Sequence, residues 1–131
     1  MSDDPKDVTI RFFELGCGGK TEEAIALLAD DVEFWYTGVA NVTRQDLIDG
    51  MRGMAPMIAP GGGIEVVDIL AEGDRVAIEY RGHIPLKNGK VYANTYHTKM
   101  IVRDGKITCM REYLDPLIVM NAFGALSTAQ D

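Results

Sequence analysis

The chain has 131 residues and a mass of 14.4 kDa, which gives room for one domain with a hydrophobic core of its own. A content of 47% hydrophobic and 25% charged residues is typical of a folded protein and excludes a disordered or fibrous chain. Twenty acidic against thirteen basic side chains give a net charge of -7, which argues against a nucleic acid as partner because proteins bind phosphate backbones through Lys and Arg.

The cysteines, the histidines and the N-terminus indicate where the protein is located and which cofactors it lacks. Cys17 and Cys109 follow no metal-ligand or disulfide spacing, so we expect reduced thiols. The N-terminus is acidic where a secretory signal would be basic, and no stretch approaches the roughly 18 apolar residues of a membrane span. We therefore expect a cytoplasmic protein that binds no membrane. With two histidines and no Gly-rich loop between a strand and a helix, no metal or nucleotide cofactor is expected.

The N-terminal half of the chain predicts three helices and one strand. In chain order these are a helix from Asp4 and Pro5 to Gly16, a short helix that starts at Thr21 and ends before Asp30, a strand over Val32–Tyr36, and a helix from Thr43 to Ile58. Asp4 and Thr43 are N-cap residue types, whose side-chain oxygens accept hydrogen bonds from free backbone N–H groups. Pro56 should kink or end the third helix because proline has no N–H to donate.

From Ile64 the hydrophobic period changes to that of strands. Four strands are predicted, over Ile64–Leu70, Arg75–Ile84, Val91–Arg103 and Lys106–Leu114, with turn sequences between them. Short connections predict an antiparallel meander. Asp115 before Pro116 predicts the N-cap of a final short helix. Helices first and strands afterwards give an α+β domain with helices on one face of a curved sheet.

Two groups of titratable side chains are candidates for chemistry. Glu79, Arg81 and His83 share one face of the second meander strand, which makes them either a row of acid–base groups or a solvated sheet face. Glu112, on the last strand, is either a general base or an exposed residue. Strand parity leaves open whether Glu112 or its neighbour Tyr113 faces inward.

Other residues suggest a pocket wall. Tyr92, Asn94 and Tyr96 share one face of the third meander strand and offer polar points on an apolar surface, while His97 lies on the opposite face. Met54 belongs to a group of methionines that could line a site for an apolar ligand or fill gaps in the core. The same two interpretations, pocket or core, apply to the aromatic pair Trp35 and Tyr36.

The order of these elements, the run Gly105–Asp115 and the spacing from Gly89-Lys90 to Gly105-Lys106-Ile107 resemble the nuclear transport factor 2-like superfamily. Within it, SnoaL-like domains and limonene-1,2-epoxide hydrolase are the nearest families. The resemblance covers nearly the whole chain and makes residues 1–131 a single SnoaL-like domain. It implies a cone-shaped α+β roll with three N-terminal helices packed in a strongly curved, mainly antiparallel sheet, a short C-terminal helix and a deep apolar pocket. It also implies a homodimer through the outer sheet face.

The resemblance assigns roles to particular residues. The epoxide hydrolase family uses an Asp-Arg-Asp triad, in which the arginine falls on Arg81, one acid is replaced by His83 and the other falls on Glu112. The family also uses a Tyr and an Asn to orient the water, and these fall near Phe34 and Tyr36, of which only Tyr36 is polar. In ketosteroid isomerase, a worked example of acid–base tuning, the site is instead a carboxylate base with a Tyr and an Asp, and the corresponding stretches of this chain carry no carboxylate.

These observations predict a cofactor-independent enzyme of hydrolase, cyclase or isomerase type. It would act by acid/base catalysis on a small oxygenated hydrophobic molecule such as a terpenoid, a polyketide or a steroid-like compound. The predicted catalytic residues are Glu112, Arg81, His83 and Tyr36, and the predicted substrate-binding residues are Trp35, Tyr96, Met54 and Asn94. The alternative is a non-catalytic small-molecule binding or association domain of the same fold.

Overall fold

The computed structural model describes residues 2–37 and 39–123. Its elements in chain order are α1 (Pro5–Cys17), α2 (Thr21–Ile25), β1 (Leu28–Tyr36), β2 (Val39–Val42), α3 (Arg44–Met54), a 3-10 turn (Ala55–Met57), β3 (Gly63–Glu72), β4 (Arg75–Pro85), β5 (Val91–Arg103), β6 (Lys106–Tyr113) and α4 (Pro116–Phe123). No helix within the described residues is long and apolar enough to cross a lipid bilayer. The predicted α+β class, with helices first and a short helix last, is confirmed.

The helix starts follow from their capping side chains. Asp4 accepts a hydrogen bond from the backbone N–H of Lys6 at 3.2 Å, and Thr43 Oγ1 accepts one from Asp46 at 3.1 Å. Asp115 Oδ1 accepts from the N–H of Leu117 at 2.9 Å, so its predicted capping role is confirmed. These bonds satisfy N–H groups that have no partner inside the helix. As expected, α3 ends just before the turn that contains Pro56.

One six-stranded sheet with the order β2-β1-β6-β5-β4-β3 organises the fold. Strands β3 to β6 form the predicted antiparallel meander, and β1 adds to it in parallel with β6. Two sequence predictions were wrong here. The second helix ends at Ile25, because Leu28 already pairs with Ile107 of β6. The short strand β2 was missed because four residues are too few to show an alternating pattern.

Helix α1 fills the concave side of the sheet. Its buried residues Val8, Phe12 and Phe13 pack on the inward side chains of the central strands, among them Tyr80 and Met110. Register shifts interrupt the β1–β6, β3–β4 and β5–β6 pairings. Such bulges bend a strand and increase its twist, which lets the sheet curve around the helix. The result is the predicted cone-like roll.

The end of α1 approaches the loop before β3 too closely for any side chain at Gly62. A Cβ atom there would overlap the carbonyl oxygen of Cys17 and lie 3.0 Å from that of His83, both of which are backbone atoms. Gly63, the next residue, has open space at the same position. The pair therefore offers a matched test of this contact.

We expect Gly62→Ala to lower the free energy of unfolding by at least about 2 kcal/mol, since the backbone must move to relieve the overlap. Gly63→Ala should change it by less than about 0.5 kcal/mol. Urea unfolding followed by circular dichroism measures both variants. If Gly62→Ala and Gly63→Ala had the same free energy of unfolding, the close approach of α1 to this loop would be contradicted.

Candidate active site

An apolar cavity of about 170 Å³ lies between α1, α3 and the inner face of the sheet. Phe12 and Phe13 come from α1, and Met51 and Met54 from α3, so both helices present apolar side chains to it. The sheet contributes, among others, Phe34, Tyr80, Ile84, Tyr96, Met110 and Glu112. Glu112 is the only residue with a charged side chain among the described residues that line this cavity.

Strand parity in β6 brings Glu112 to the cavity. Met110 and Glu112 face inward, while Arg111 and Tyr113 face outward, which settles the alternative that the sequence left open. On the neighbouring strand β5, Thr98 is the direct partner of Glu112. Burial raises the pKa of the Glu112 carboxyl to about 7, and no charged group or hydrogen-bond donor of the described residues holds it down. The group can therefore bind or release a proton near neutral pH.

The polar groups around Glu112 stay protonated. Burial and, after it, the Glu112 charge raise the pKa values of the Tyr36 and Tyr80 hydroxyls. The pKa of Tyr96 is also raised, first by burial and then by the neighbouring Tyr92 and Glu112. Burial, with a smaller contribution from Glu112, raises the pKa of the Cys17 thiol to about 12. These groups are therefore neutral near Glu112, and a thiol in that state is a poor nucleophile.

A hydrogen-bonded tyrosine pair lies at the β5 wall of the cavity. The hydroxyl oxygens of Tyr92 and Tyr96 are 2.8 Å apart, and Asn94 Nδ2 donates to the Tyr92 hydroxyl at 3.0 Å. The Tyr96 ring stacks on Tyr80 of β4 with 4.7 Å between ring centroids. Gly82 makes room for this stack, because a Cβ there would lie 3.2 Å from the Tyr96 ring.

The predicted convergence of Arg81 and His83 with Glu112 was wrong. Arg81 is exposed on the outer sheet face, where its Nη1 lies 2.6 Å from Glu65 Oε1. His83 is exposed on the same face, and its Nε2 lies 3.1 Å from the carbonyl oxygen of Gly61. The inward positions of β4 are taken by buried residues such as Tyr80, so the alternation of the strand sends Arg81 and His83 to solvent.

Two of the four predicted substrate-binding residues line the cavity and two do not. Met54 and Tyr96 line the cavity, although their contact with a substrate stays a prediction. Trp35 does not line it: the ring lies on the outer face, with the Arg111 guanidinium 4.3 Å from its centroid and the Tyr113 ring 5.0 Å away. Its neighbour Tyr36 faces the other side of β1, where it stacks on Phe34 at 5.2 Å.

Asn94 is buried, and its side-chain amide is bonded within the protein. Its Nδ2 donates to Tyr92 and to the Asp115 carbonyl, and its Oδ1 accepts from the backbone N–H groups of Thr95 and Asp115. All four hydrogen-bonding positions of the amide are used, so none is free for a ligand. Asn94 does not line the cavity either, so its direct contact with a substrate stays a prediction that this geometry does not support.

Several cavity residues were not selected from the sequence. Phe12, Phe13, Phe34 and Tyr80 all line the cavity. The sequence pattern did place these residues on buried faces. Tyr80 lies on the β4 face opposite the charged row, and the two phenylalanines lie on the apolar side of α1. Periodicity alone does not distinguish a side chain that fills the core from one that lines a cavity.

Sequence comparison gives the family. The sequence profile of SnoaL-like domains matches residues 10–110, most of the chain. The chain belongs to the SnoaL-like domain family. The match includes the cavity residues of α1 and β4 and ends before Glu112. No curated protein matches this SnoaL-like domain significantly in sequence.

Solved structures share the fold of this SnoaL-like domain at low sequence identity. A putative isomerase from Bacillus subtilis is 17% identical with a TM-score of 0.78, and the alignment covers 96% of this chain and 98% of that one. A protein with a ketosteroid isomerase-like fold from Catenulispora acidiphila, in complex with trimethylamine, is 18% identical with a TM-score of 0.70 over 92% and 94%. A nuclear transport factor 2-like protein from Anabaena variabilis is 22% identical with a TM-score of 0.71 over 87% and 91%. The SnoaL-like domain that the sequence suggested is confirmed by the profile match, and these structures share its fold.

The raised pKa of Glu112 makes stability depend on pH. Between pH 4.5 and about 7 the folded protein holds this proton more tightly than the unfolded chain does. The stability that Glu112 contributes is therefore complete below pH 4.5 and is lost as the pH rises through 7, by up to about 3 kcal/mol.

Glu112→Gln should remove this loss. We expect the free energy of unfolding of the wild type to fall relative to that of Glu112→Gln when both are measured by urea unfolding at pH 5 and pH 8. Glu65→Gln is the control, since Glu65 is exposed on the outer face and forms only a surface ion pair. The same pH dependence in the wild type and Glu112→Gln would contradict a buried Glu112.

Proposed function

We propose that the protein is a cofactor-independent enzyme in which Glu112 acts as general acid and base on a small, oxygenated hydrophobic molecule. The observation that carries this proposal is a single carboxyl group inside an apolar cavity, with its pKa raised by burial to about 7. A proton-transfer group works best when its pKa lies near the working pH. An ordinary glutamate, with a pKa near 4.3, would be a much weaker acid–base catalyst at neutral pH.

The cavity limits the substrate. At about 170 Å³ it is similar to an engineered cavity of about 150 Å³ that binds benzene. A monocyclic compound of terpenoid size fits this space better than a steroid or a tetracyclic polyketide. The described lining contains no basic side chain, so an anionic substrate would lie beside Glu112 without a counter-charge. A neutral molecule with a carbonyl or ether oxygen avoids that cost.

Proton transfer at carbon is the reaction class that this arrangement supports best. The Glu112 carboxylate would take a proton from the carbon beside a carbonyl, the electron pair would move onto the carbonyl oxygen, and the proton would return to carbon. That is chemistry of isomerase or cyclase type, and one structural neighbour is described as a putative isomerase. Epoxide hydrolysis by an Asp-Arg-Asp arrangement has less support, because Arg81 lies outside the cavity.

Glu112→Gln should abolish turnover while leaving ligand affinity within about tenfold, because the neutral amide keeps the shape of the side chain but takes no proton. Turnover is measured on monocyclic enones and ketones, with solvent deuterium incorporation followed by NMR. For a base mechanism, kcat/KM of the wild type should rise with pH and reach a plateau above about pH 7.

Arg81→Gln is the matched control, because this residue lies on the outer face, and its turnover should equal that of the wild type. Undiminished turnover by Glu112→Gln would remove Glu112 from the mechanism.

A second candidate is a non-catalytic binding domain that uses the same cavity. It is favoured by one observation, namely that Glu112 is the only one of the predicted acid–base residues in the described cavity lining. Ligand binding with equal affinity in the wild type and Glu112→Gln, together with no turnover of any panel member by the wild type, would support this candidate over the enzyme.

Association through the outer sheet face stays part of the proposal. This face carries the exposed Leu70, which is 65% accessible, and the cluster of Trp35, Arg111 and Tyr113. Exposed apolar and aromatic groups of this kind are enriched at protein interfaces.

We expect light scattering at micromolar concentration to give twice the 14.4 kDa mass of the chain. Arg111→Glu, which places an acid in this face, should shift the protein toward the monomer. Lys87→Glu, in the turn between β4 and β5, should not. A monomeric mass for the wild type would contradict the dimer.

A further inference from the structure

Aromatic rings form a large part of the cavity that holds the Glu112 carboxyl. Five of the side chains that line the cavity with it are aromatic, namely Phe12, Phe13, Phe34, Tyr80 and Tyr96. They come from α1 and from three strands, so rings lie on several sides of the cavity. Four of the rings form a continuous series, because successive ring centroids from Phe12 through Phe13 and Tyr80 to Tyr96 are 5.2, 4.4 and 4.7 Å apart.

The sheet register places a ring close to Glu112 on each neighbouring strand. On β5 its direct partner is Thr98, and Tyr96 lies two residues away on the same face. On β1 its partner is Tyr36, and Phe34 lies two residues from it on the same face. Diagonal neighbours on one face of an antiparallel pair are about 7–8 Å apart at their Cα atoms. A ligand that touches the carboxyl is therefore also within reach of these rings.

An ionised Glu112 has no counter-charge among the described residues that line the cavity. That lining contains no Lys, Arg or His, and two basic side chains of the sheet, Arg81 and Arg111, lie on its outer face. Charges inside proteins are normally paired, so a ligand that brings a positive charge would supply what the cavity lacks. Organic ammonium ions combine such a charge with an apolar surface, and the negative faces of aromatic rings attract them.

We infer that the cavity also binds a small organic ammonium ion, whose charge pairs with the Glu112 carboxylate and whose carbon groups contact the aromatic rings. Glu112 keeps part of its surface accessible, as contact with a ligand requires. The volume of about 170 Å³ limits the ion to the size of tetramethylammonium or choline, since a cavity of about 150 Å³ holds benzene. The inference goes beyond the proposed function, because it concerns a ligand of different charge and requires no reaction.

Binding of the cation is linked to one proton. Burial raises the pKa of Glu112 to about 7, and a cation beside the carboxyl lowers this pKa again. Below pH 7 the ion must therefore displace a proton from Glu112, so its affinity rises with pH until about 7 and is constant above that value. A neutral ligand of the same shape binds the protonated carboxyl at least as well and lacks this increase.

The other titratable groups that face Glu112 stay neutral between pH 5 and pH 8, because burial raises their pKa values. They are Cys17 on α1, Tyr36 on β1, Tyr80 on β4, and Tyr92 and Tyr96 on β5. Helix α3 contributes only apolar side chains to the cavity. A change of affinity with pH in this range therefore reports the charge of Glu112.

The experiment compares choline with 3,3-dimethylbutan-1-ol, which has the same shape with a carbon in place of the charged nitrogen. Isothermal titration calorimetry measures both ligands at pH 5 and pH 8. We expect the affinity for choline to rise about a hundredfold between these pH values, as the ionised fraction of a group with a pKa of about 7 does. At pH 8 choline should bind at least about tenfold more tightly than the alcohol, and this preference should shrink by about the same hundredfold at pH 5.

Proton release identifies the group that pairs with the ion. The quaternary nitrogen of choline carries no proton, so at pH 6 the wild type should release about 0.9 proton per choline bound, the protonated fraction of Glu112. Titrations in buffers of different ionisation heat measure this number. Glu112→Gln should release none and should bind choline at pH 8 at least about tenfold more weakly. Its affinity for the alcohol at pH 5 should stay within about twofold of the wild type, whose carboxyl is then neutral as well.

Two variants on the outer face are matched controls. Glu65→Gln removes an exposed carboxylate from a chain of net charge -7, so it reports any nonspecific attraction of cations, and its choline affinity should equal that of the wild type. Phe13→Leu removes a ring from the cavity and should weaken choline binding about threefold to tenfold, with a smaller effect on the alcohol. Trp35→Leu, the control for this change, should affect neither ligand. Equal losses of both ligands in Phe13→Leu would contradict the role of the rings.

The inference is overturned if choline and tetramethylammonium both fail to bind at pH 8, if the wild type releases no proton, or if Glu112→Gln binds choline as tightly as the wild type. These measurements need no reaction and are separate from the test of the proposed function. Choline binding with proton release, but without turnover of any enone or ketone, would support the inference and contradict the enzyme. Turnover that is lost in Glu112→Gln, without binding of either ion, would do the opposite.

Discussion

The Glu112 carboxyl lies in an apolar cavity without a charged or hydrogen-bonding partner among the described residues, and the proposed chemistry depends on this feature. Burying an ionised carboxylate is costly, and proteins avoid that cost by pairing the charge or by keeping the group protonated. Among the described residues Glu112 has no pairing cation, and burial raises its pKa to about 7. It forms no ion pair in the described part of the chain, and near neutral pH its charge opposes folding. A group of this kind, placed in a cavity, is typical of a site that transfers protons.

The pairing of the last strand explains why this carboxyl is inside. In β6 the buried Met110 fixes the parity, and Glu112 follows on the same face. Strand β6 is held between β5 and β1, so a shift by one residue would move Met110 out of the core on both sides. The position of Glu112 is therefore enforced by apolar packing elsewhere in the strand. That packing offsets the cost of burying the carboxyl.

The sequence predicted every element except β2, although it placed the end of the second helix too late, and it separated the two faces of the strands without showing which face is buried. The alternation in β4 separated Arg81 and His83 from Tyr80 correctly, and the charged set was assigned to the site because a resemblance placed a catalytic arginine there. When one face of a strand is charged and the other is apolar, the charged face is expected to lie in solvent. In the structure Arg81 and His83 are exposed, as this rule predicts. The parallel β1–β6 pairing and the bonds from Asn94 to Asp115 join residues far apart in sequence. No local pattern predicts contacts of this kind.

The two sides of the cavity differ in rigidity, and this difference has consequences for substrate recognition. On the sheet side, Tyr96 is fixed by its stack on Tyr80 and by the bonds through Tyr92 to Asn94, which is itself held by the backbone at the start of α4. On the helix side, Met51 and Met54 of α3 are only partly buried, and methionine adapts to irregular shapes. Under the proposed function a rigid polar side would position a polar group of the ligand, since binding geometry is set most accurately by side chains whose rotamers are locked by their neighbours. An adaptable apolar side tolerates variation in the hydrocarbon part. A ligand of the proposed kind would therefore be selected by the position of its polar group more strictly than by the shape of its carbon skeleton.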